Sequence, residues 1–374
     1  MSKVIFVYIC LSILLLGENV YSFDFQRLES GFWIATTEVY DDNITFIKDK
    51  KKEDFITKVN LGLDLKYEGK TQAFVVGGGI TQQIFARYHN YNNTSQHLSL
   101  NFYKEFSPYS QLRLTDSFAH TYEPRSFEEA FGRTGGRYSY YRNKFNLIYI
   151  RDISKYLNIR AIFANEINEV SRQGLRDSTL NQAGFNLNYF WSPSIILKFN
   201  YSFFLRDFTP GEGASTHSIV LGLRNYLSSQ LYFDFRGGME VIESFNDKNY
   251  IRPLIQALVT GDIDENTRVK LAFTKKYYTN AYTEDLFNYW RVSAFLTRRL
   301  LKRLRGSLLG FYGEGRYVAI GIRDKLNGVT FTFTFDVGRD IKANFSYTNS
   351  RVDSTDIGRE YIKNTVGLGV TIKF

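Results

Sequence analysis

The 374-residue sequence holds one cysteine, five prolines and two methionines. The lone cysteine, Cys10, falls inside the apolar run Val4–Gly17. Met1–Ser22 has the form of a secretory signal peptide: Lys3 is its positive end, Val4–Gly17 its apolar core and Val20-Tyr21-Ser22 a loose small-x-small cleavage site. An exported chain over residues 23–374 then has no disulfide and no thiol chemistry. Cys10 sits within the core rather than at its end, which argues against a lipid-modified N-terminus. No other apolar run approaches the roughly 20 residues that a membrane helix requires. A helical membrane protein is thereby excluded, and an aromatic content of 17% excludes a disordered chain.

What the sequence has is alternation. Thr365–Phe374 places Val366, Leu368, Val370, Ile372 and Phe374 on one face, and Thr365, Gly367, Gly369, Thr371 and Lys373 on the other. Val329–Val337 does the same with Phe331, Phe333 and Phe335 against Thr330, Thr332 and Thr334. Ile195–Leu205, Phe185–Trp191, Ile341–Tyr347 and Val59–Tyr67 repeat the pattern. Period two gives one apolar and one polar face. A soluble sandwich shares this pattern. The polar faces here carry Lys, Arg, Asn, Ser and Gly over many successive strands long enough to cross a bilayer at a tilt, about 9–11 residues each.

Tight turns centre near Gly69, Ser107, Ser154, Ser192, Ser228, Asp264, Leu301 and Gly338, at intervals of roughly 37 residues, with one longer interval that contains Tyr122–Arg137. Longer polar stretches lie between them, beginning with Asp41–Asp54 and ending with Ser350–Glu360. This predicts an all-β, antiparallel, up-and-down transmembrane barrel of about 18 strands, with 16 as the alternative count, short periplasmic turns and longer extracellular loops. Pro108 and Pro193 fall in turns, Pro124 and Pro210 in loops, and Pro253 at an expected strand start, so none breaks a ladder. Gly77-Gly78-Gly79 and Gly237-Gly238 fall within strands, either as bends or as small lumen-facing positions. Tyr103, Tyr189, Trp191, Tyr226 and Tyr277/Tyr278 lie near strand ends, where interfacial girdles are expected.

The alternating terminal strand ending in Phe374 resembles the C-terminal signal read by the bacterial barrel assembly machinery. With Tyr40-Asp41-Asp42-Asn43-Ile44 and hairpins of the type Leu187-Asn188-Tyr189…Ser192-Pro193…Lys198-Phe199-Asn200-Tyr201, the chain resembles the type 2 outer-membrane β-barrel porins found beside exopolysaccharide biosynthesis genes. That resemblance implies a bacterial outer-membrane location, with lipid, lipopolysaccharide and the assembly machinery as partners. It also implies a link to polysaccharide export alongside periplasmic export proteins. It brings no catalytic residues.

The residues themselves give no enzymatic constellation. His89, His97, His120 and His217 form no metal-binding spacing. His120 near Asp116 and His217 near Ser218 lack a third orienting group. Gly313-Glu314-Gly315 is no dinucleotide fingerprint. No cofactor, metal or nucleic-acid partner is expected.

The polar face is the informative feature. Lys58, Lys66, Lys144, Arg160, Lys198, Arg206, Arg236, Lys270, Arg291, Lys342 and Lys373 are expected to line the lumen, against Asp64, Glu105, Glu166, Asp234 and Asp336. This excess matches a formal net charge of +9. Cations at the bilayer midplane cost about 2–4 kcal/mol when they face lipid, so they belong in a watery lumen, where they concentrate anions. Three functions stay open: an export conduit for exopolysaccharide, a general or anion-selective porin, and a non-conducting surface barrel. The basic run Lys48–Lys52 in the first long loop reads as a solvated loop or as a contact for lipopolysaccharide phosphates.

Overall fold

The structure is a computed structural model that describes residues 27–122, 137–171, 173–244, 248–279 and 285–374. The expected signal peptide, most of the Tyr122–Arg137 loop and Pro124 lie outside the described residues. Eighteen strands follow in order: β1 (Leu28–Asp41), β2 (Asp54–Glu68), β3 (Gln72–Phe85), β4 (Asn93–Ser107), β5 (Ser110–Thr121), β6 (Tyr140–Ser154), β7 (Leu157–Val170), β8 (Asp177–Phe190) and β9 (Ile195–Thr209). The second half continues with β10 (Ala214–Tyr226), β11 (Leu231–Ser244), β12 (Lys248–Asp264), β13 (Thr267–Thr279), β14 (Leu286–Leu301), β15 (Leu304–Tyr317), β16 (Arg323–Asp336), β17 (Ile341–Ser354) and β18 (Tyr361–Lys373).

Each strand pairs antiparallel with its neighbours in sequence, and β1 pairs with β18, for example Trp33 opposite Lys373 and Tyr40 opposite Val366. The sheet is therefore a closed up-and-down barrel. Closure satisfies every strand edge, the condition for β-structure to cross a bilayer. Among the described residues no helix is long and apolar enough to cross a membrane, and the crossing is made by strands. All eight tight turns fall where the spacing places them, from the residues after Glu68 to those after Asp336.

The alternation sets the register, because a slip of one residue would turn the apolar face into the lumen. Phe331, Phe333 and Phe335 are exposed on the outer face, as are Leu61, Leu63, Leu221, Leu271, Leu368 and Val370. Their sequence neighbours Thr330, Thr332 and Thr334 share the inner face with Thr348, Ser346 and Asn344 of β17. At the short-turn end the outer face finishes on Phe106, Ile153, Trp191, Leu227, Leu301 and Phe374, all exposed.

Two expectations need correction. Several loops are shorter than the polar stretches suggest: Gly313–Asn327 contracts because β15 runs to Tyr317 and β16 begins at Arg323. Glu314, Arg316 and Lys325 continue these strands with polar side chains, which look like loop residues in the sequence. Pro253 lies inside β12 rather than at its start. It pairs with Met239 of β11, while the β12–β13 ladder begins only at Ile255. The proline therefore sits where the β13 side of its strand is still unpaired.

Candidate functional site

The lumen face follows from the register. Gly62 and Gly79 lie beneath inward side chains, and direct partners across an antiparallel ladder share a face. On this parity all eleven cations named from the sequence lie on the inner face. Lys58 and Lys66 belong to β2, Lys144 to β6, Arg160 to β7, and Lys198 and Arg206 to β9. Arg236 belongs to β11, Lys270 to β13, Arg291 to β14, Lys342 to β17 and Lys373 to β18. Asp64, Glu105, Glu166, Asp234 and Asp336 share that face. Some are paired locally, as Lys66 is with Glu68 at 3.0 Å, and Lys342 stands opposite Asp336.

Six cations of β6, β9, β10 and β11 gather into two clusters, each built around one carboxylate. Asp234, only 2% exposed, accepts hydrogen bonds from Lys198, from Arg224 at 2.8 Å and from Arg236 at 2.9 Å. Glu166 lies 3.4 Å from Lys144, 3.7 Å from Arg142 and 3.8 Å from Arg206. Asn168 donates to Glu166 at 2.8 Å, and Arg206 donates to Ser178 at 2.9 Å. Each carboxylate can neutralise one of its three neighbours, so each cluster is net positive. Removing these charges from bulk water is costly, and the shared carboxylate is what makes such close cations tolerable. Neither Arg142 nor Arg224 is marked in the sequence: Arg224 stands opposite Asp234, and Arg142 shares the face of Lys144, which stands opposite Glu166.

The opposite arc is chemically different. From β15 round to β4 the mid-barrel lumen face is mainly hydroxyl, amide and glycine, as in Thr330, Thr348, Thr365 and Gly367. A cationic wall thus faces one whose mid-barrel surface is mainly uncharged.

The extracellular mouth is narrowed by the first long loop, residues 42–53. Its Ile44 is buried against Ile56, Phe85 and Val39, which belong to the inner face. Phe46 packs edge-on to Tyr361 at 5.3 Å, and the Lys363 ammonium lies 3.8 Å over its ring. Asn43 pins the turn by donating to the carbonyls of Ile47 at 2.7 Å and Ile362 at 2.9 Å, and by accepting from the Ile47 amide at 3.2 Å. Arg137 donates to the Ile44 carbonyl at 2.8 Å. Lys363 also pairs with Asp41 at 2.7 Å. A second apolar group inside the mouth joins Phe287, Phe311, Tyr317, Leu326 and Val352, and Arg359 caps it by bonding to Asp324 and to the Tyr317 hydroxyl. Within the basic run, Lys48 reaches Glu360 at 2.6 Å, and that hydrogen bond holds the ammonium above its ordinary range. The Tyr40 hydroxyl and Arg87 hold the Glu53 carboxyl below the usual range. The inward fold of this loop had no sequence signal beyond the two apolar residues inside a polar stretch.

Other residues stand elsewhere than expected. Tyr103 and Tyr226 face the lumen rather than the lipid: Tyr103 donates to Glu105, and Tyr226 packs on Tyr232. Nearness to a strand end suits either face, and parity decides between them. His120 stacks on Tyr141 with ring centroids 4.1 Å apart, while Asp116 is held by Asn143 at 2.9 Å. His217 bonds the Tyr201 hydroxyl at 2.9 Å, on the outer face beside Ile219. Among the described residues, no group of three or more His, Cys, Asp or Glu is placed to hold a metal ion.

Residues 287–374, from β14 through β18, match the family described as Putative beta-barrel porin 2. No curated protein matches the chain in sequence. Among solved structures, OccAB4 of Acinetobacter baumannii is similar at 10% identity and a TM-score of 0.52, covering 93% of this chain and 98% of its own. The outer-membrane protein OpdK of Pseudomonas aeruginosa is similar at 10% identity, TM-score 0.49, with 92% and 98% covered. The siderophore receptor PirA of the same organism has 10% identity, TM-score 0.47, with 93% and 80% covered. At such identities the likeness concerns the fold. The closed barrel, with the match of its last five strands to a porin family, places this chain in the bacterial outer membrane.

Proposed function

We propose that the barrel is a conduit for anionic solutes, and foremost for an acidic exopolysaccharide leaving the cell. One observation carries this reading: the paired clusters in which Asp234 and Glu166 each face three cations across the lumen wall. Barrels of 16–18 strands leave a water-filled channel. A low-dielectric wall lined by excess positive charge focuses the field and raises the local anion concentration. A polyanion would exchange small counter-ions along the basic arc of β5–β14 while its neutral face slides along the hydroxyl-rich arc. Periplasmic export proteins would deliver it. The alternating face of Val366, Leu368, Val370, Ile372 and Phe374 would be the signal that the assembly machinery reads.

A second reading has its own support. The first loop folds into the mouth, which favours small solutes over a polymer and points to an anion-selective diffusion porin. Two experiments test the readings. Anion selectivity in planar bilayers is expected for both, and cation selectivity at neutral pH would refute the basic-lumen argument. A deletion strain that still secretes normal polysaccharide would refute export and leave the porin. Absence of any conductance would favour a non-conducting barrel over both.

A further inference from the structure

The neutral arc carries one feature that a simple aqueous wall would lack. Trp33 of β1 stands directly opposite Gly62 of β2 on the inner face, and one strand further on Gly79 of β3 stands opposite His97 of β4. A Cβ placed on Gly62 would meet the indole at 2.2 Å, and one placed on Gly79 would meet the imidazole at 2.6 Å. Each ring therefore occupies the space above a glycine that any other residue would claim. The two rings neighbour each other in a near-parallel arrangement, with centroids 6.4 Å apart and planes 27° apart. Both side chains lie on the lumen side of the wall. His97 is exposed and Trp33 half-buried.

The same glycine device occurs at the mouth, where Phe287 lies on Gly315 and Phe311 on Gly328. Those rings are buried in the apolar cluster and serve packing. The Trp33–His97 pair belongs to no such cluster, so packing does not account for it. Hydrogen-bonding groups border it on the same face. In the register row above stand Asn60 and Thr81, bonded to each other, and in the row below stand Asp64 and Ser99. A flat π-face flanked by amide, hydroxyl and carboxylate groups matches a pyranose, which presents a C–H face for stacking and a rim of hydroxyls for hydrogen bonds.

We propose that Trp33 and His97 form a stacking shelf for a hexose ring of a saccharide inside the lumen. The inference rests on the reading of the lumen as a solute path, and it adds that the path recognises sugar rings as well as charge. The full chain, folded in detergent micelles, is titrated calorimetrically with cellohexaose, a neutral probe that is insensitive to the basic wall. Wild type is expected to bind. Trp33→Ala is expected to raise Kd roughly three- to tenfold, the range of one aromatic stacking contact. Gly62→Ala should do the same by displacing the indole, and Trp33→Phe should retain most of the binding. No binding by wild type, or equal binding by Trp33→Ala and Gly62→Ala, would overturn the shelf. Conductance in KCl without sugar is read on the same preparations. A wild type that fails to conduct would refute the channel reading whatever the calorimetry gives, and a conducting wild type that ignores the sugar would refute the shelf alone.

Discussion

The Asp234 cluster can be neutralised without dismantling it. Arg224 and Arg236 have side chains 25% and 34% exposed, whereas Lys198 and Asp234 are 8% and 2% exposed. The double variant Arg224→Gln with Arg236→Gln removes the two cations that reach into the lumen and leaves the buried Lys198–Asp234 pair intact and neutral. A unit charge about 8 Å from a passing ion contributes ~0.5 kcal/mol in water. Screening at 0.1 M salt lowers this to ~0.2 kcal/mol. Two such charges act with opposite sign on anion and cation, so the anion-to-cation ratio should fall about four- to fivefold. The assay is the zero-current potential across a planar bilayer under a KCl gradient centred near 0.1 M, where the Debye length is about 10 Å. Repeating it near 1 M should shrink the difference between variant and wild type. A double variant with the wild-type potential at low salt would refute the claim that this cluster sets selectivity.

Three further outcomes are expected. Phe331→Arg puts a cation on the lipid face and should cost about 2–4 kcal/mol in a reversible denaturant titration of the bilayer-embedded barrel, whereas Thr330→Arg, turned into the lumen, should cost far less. Asn43→Ala removes two hydrogen bonds to Ile47 and one to Ile362, together worth roughly 2 kcal/mol, so trypsin should cut Lys50–Lys52 about thirtyfold faster; an unchanged rate would show that the loop is held by other contacts. The Glu53 carboxyl is depressed by the Tyr40 hydroxyl, so its hold on the end of the loop is present above the ordinary glutamate range and lost as pH falls through the lowered value; Tyr40→Phe should move the NMR titration midpoint back up, and no movement would remove Tyr40 as the cause.

The legible parts of this protein are those governed by period two. The spacing of turns and the alternation of β16 and β18 give the strand count and the face of every cation named on a clearly alternating strand. Alternation is weaker where the cationic clusters lie. β6 carries Ile148 and Ile150 on the inner face and Asn143 on the outer, and β10 carries Val220 inward and His217 outward. Parity is harder to read in such strands: Arg224 on β10 escapes notice, and on β6 Lys144 is named while Arg142, two residues away on the same face, is not. The sharing of one carboxylate among three cations is a property of neighbouring strands and leaves no local mark. The first loop is illegible for another reason. Ile44 and Phe46 are two apolar residues in a polar stretch, and only the inner face of β1–β3 and β18 reveals what they pack against. Gly79, read from the sequence as a bend or as a small lumen-facing position, is the latter, and with Gly62 it leaves room for the ring across the ladder.

The pairing of β1 with β18 has a temporal consequence. Every other ladder joins strands adjacent in the chain and can form as a local hairpin. Trp33 and Lys373 can meet only after all the intervening strands have emerged, so the sheet spends its assembly with two open edges. Those edges would recruit other chains in water, and the last strand to be made is the one that removes them. Closure is therefore a final, all-or-none step. Substitutions along the β1–β18 seam should slow the appearance of finished barrels more than equal substitutions in any hairpin, even where the finished barrels are equally stable.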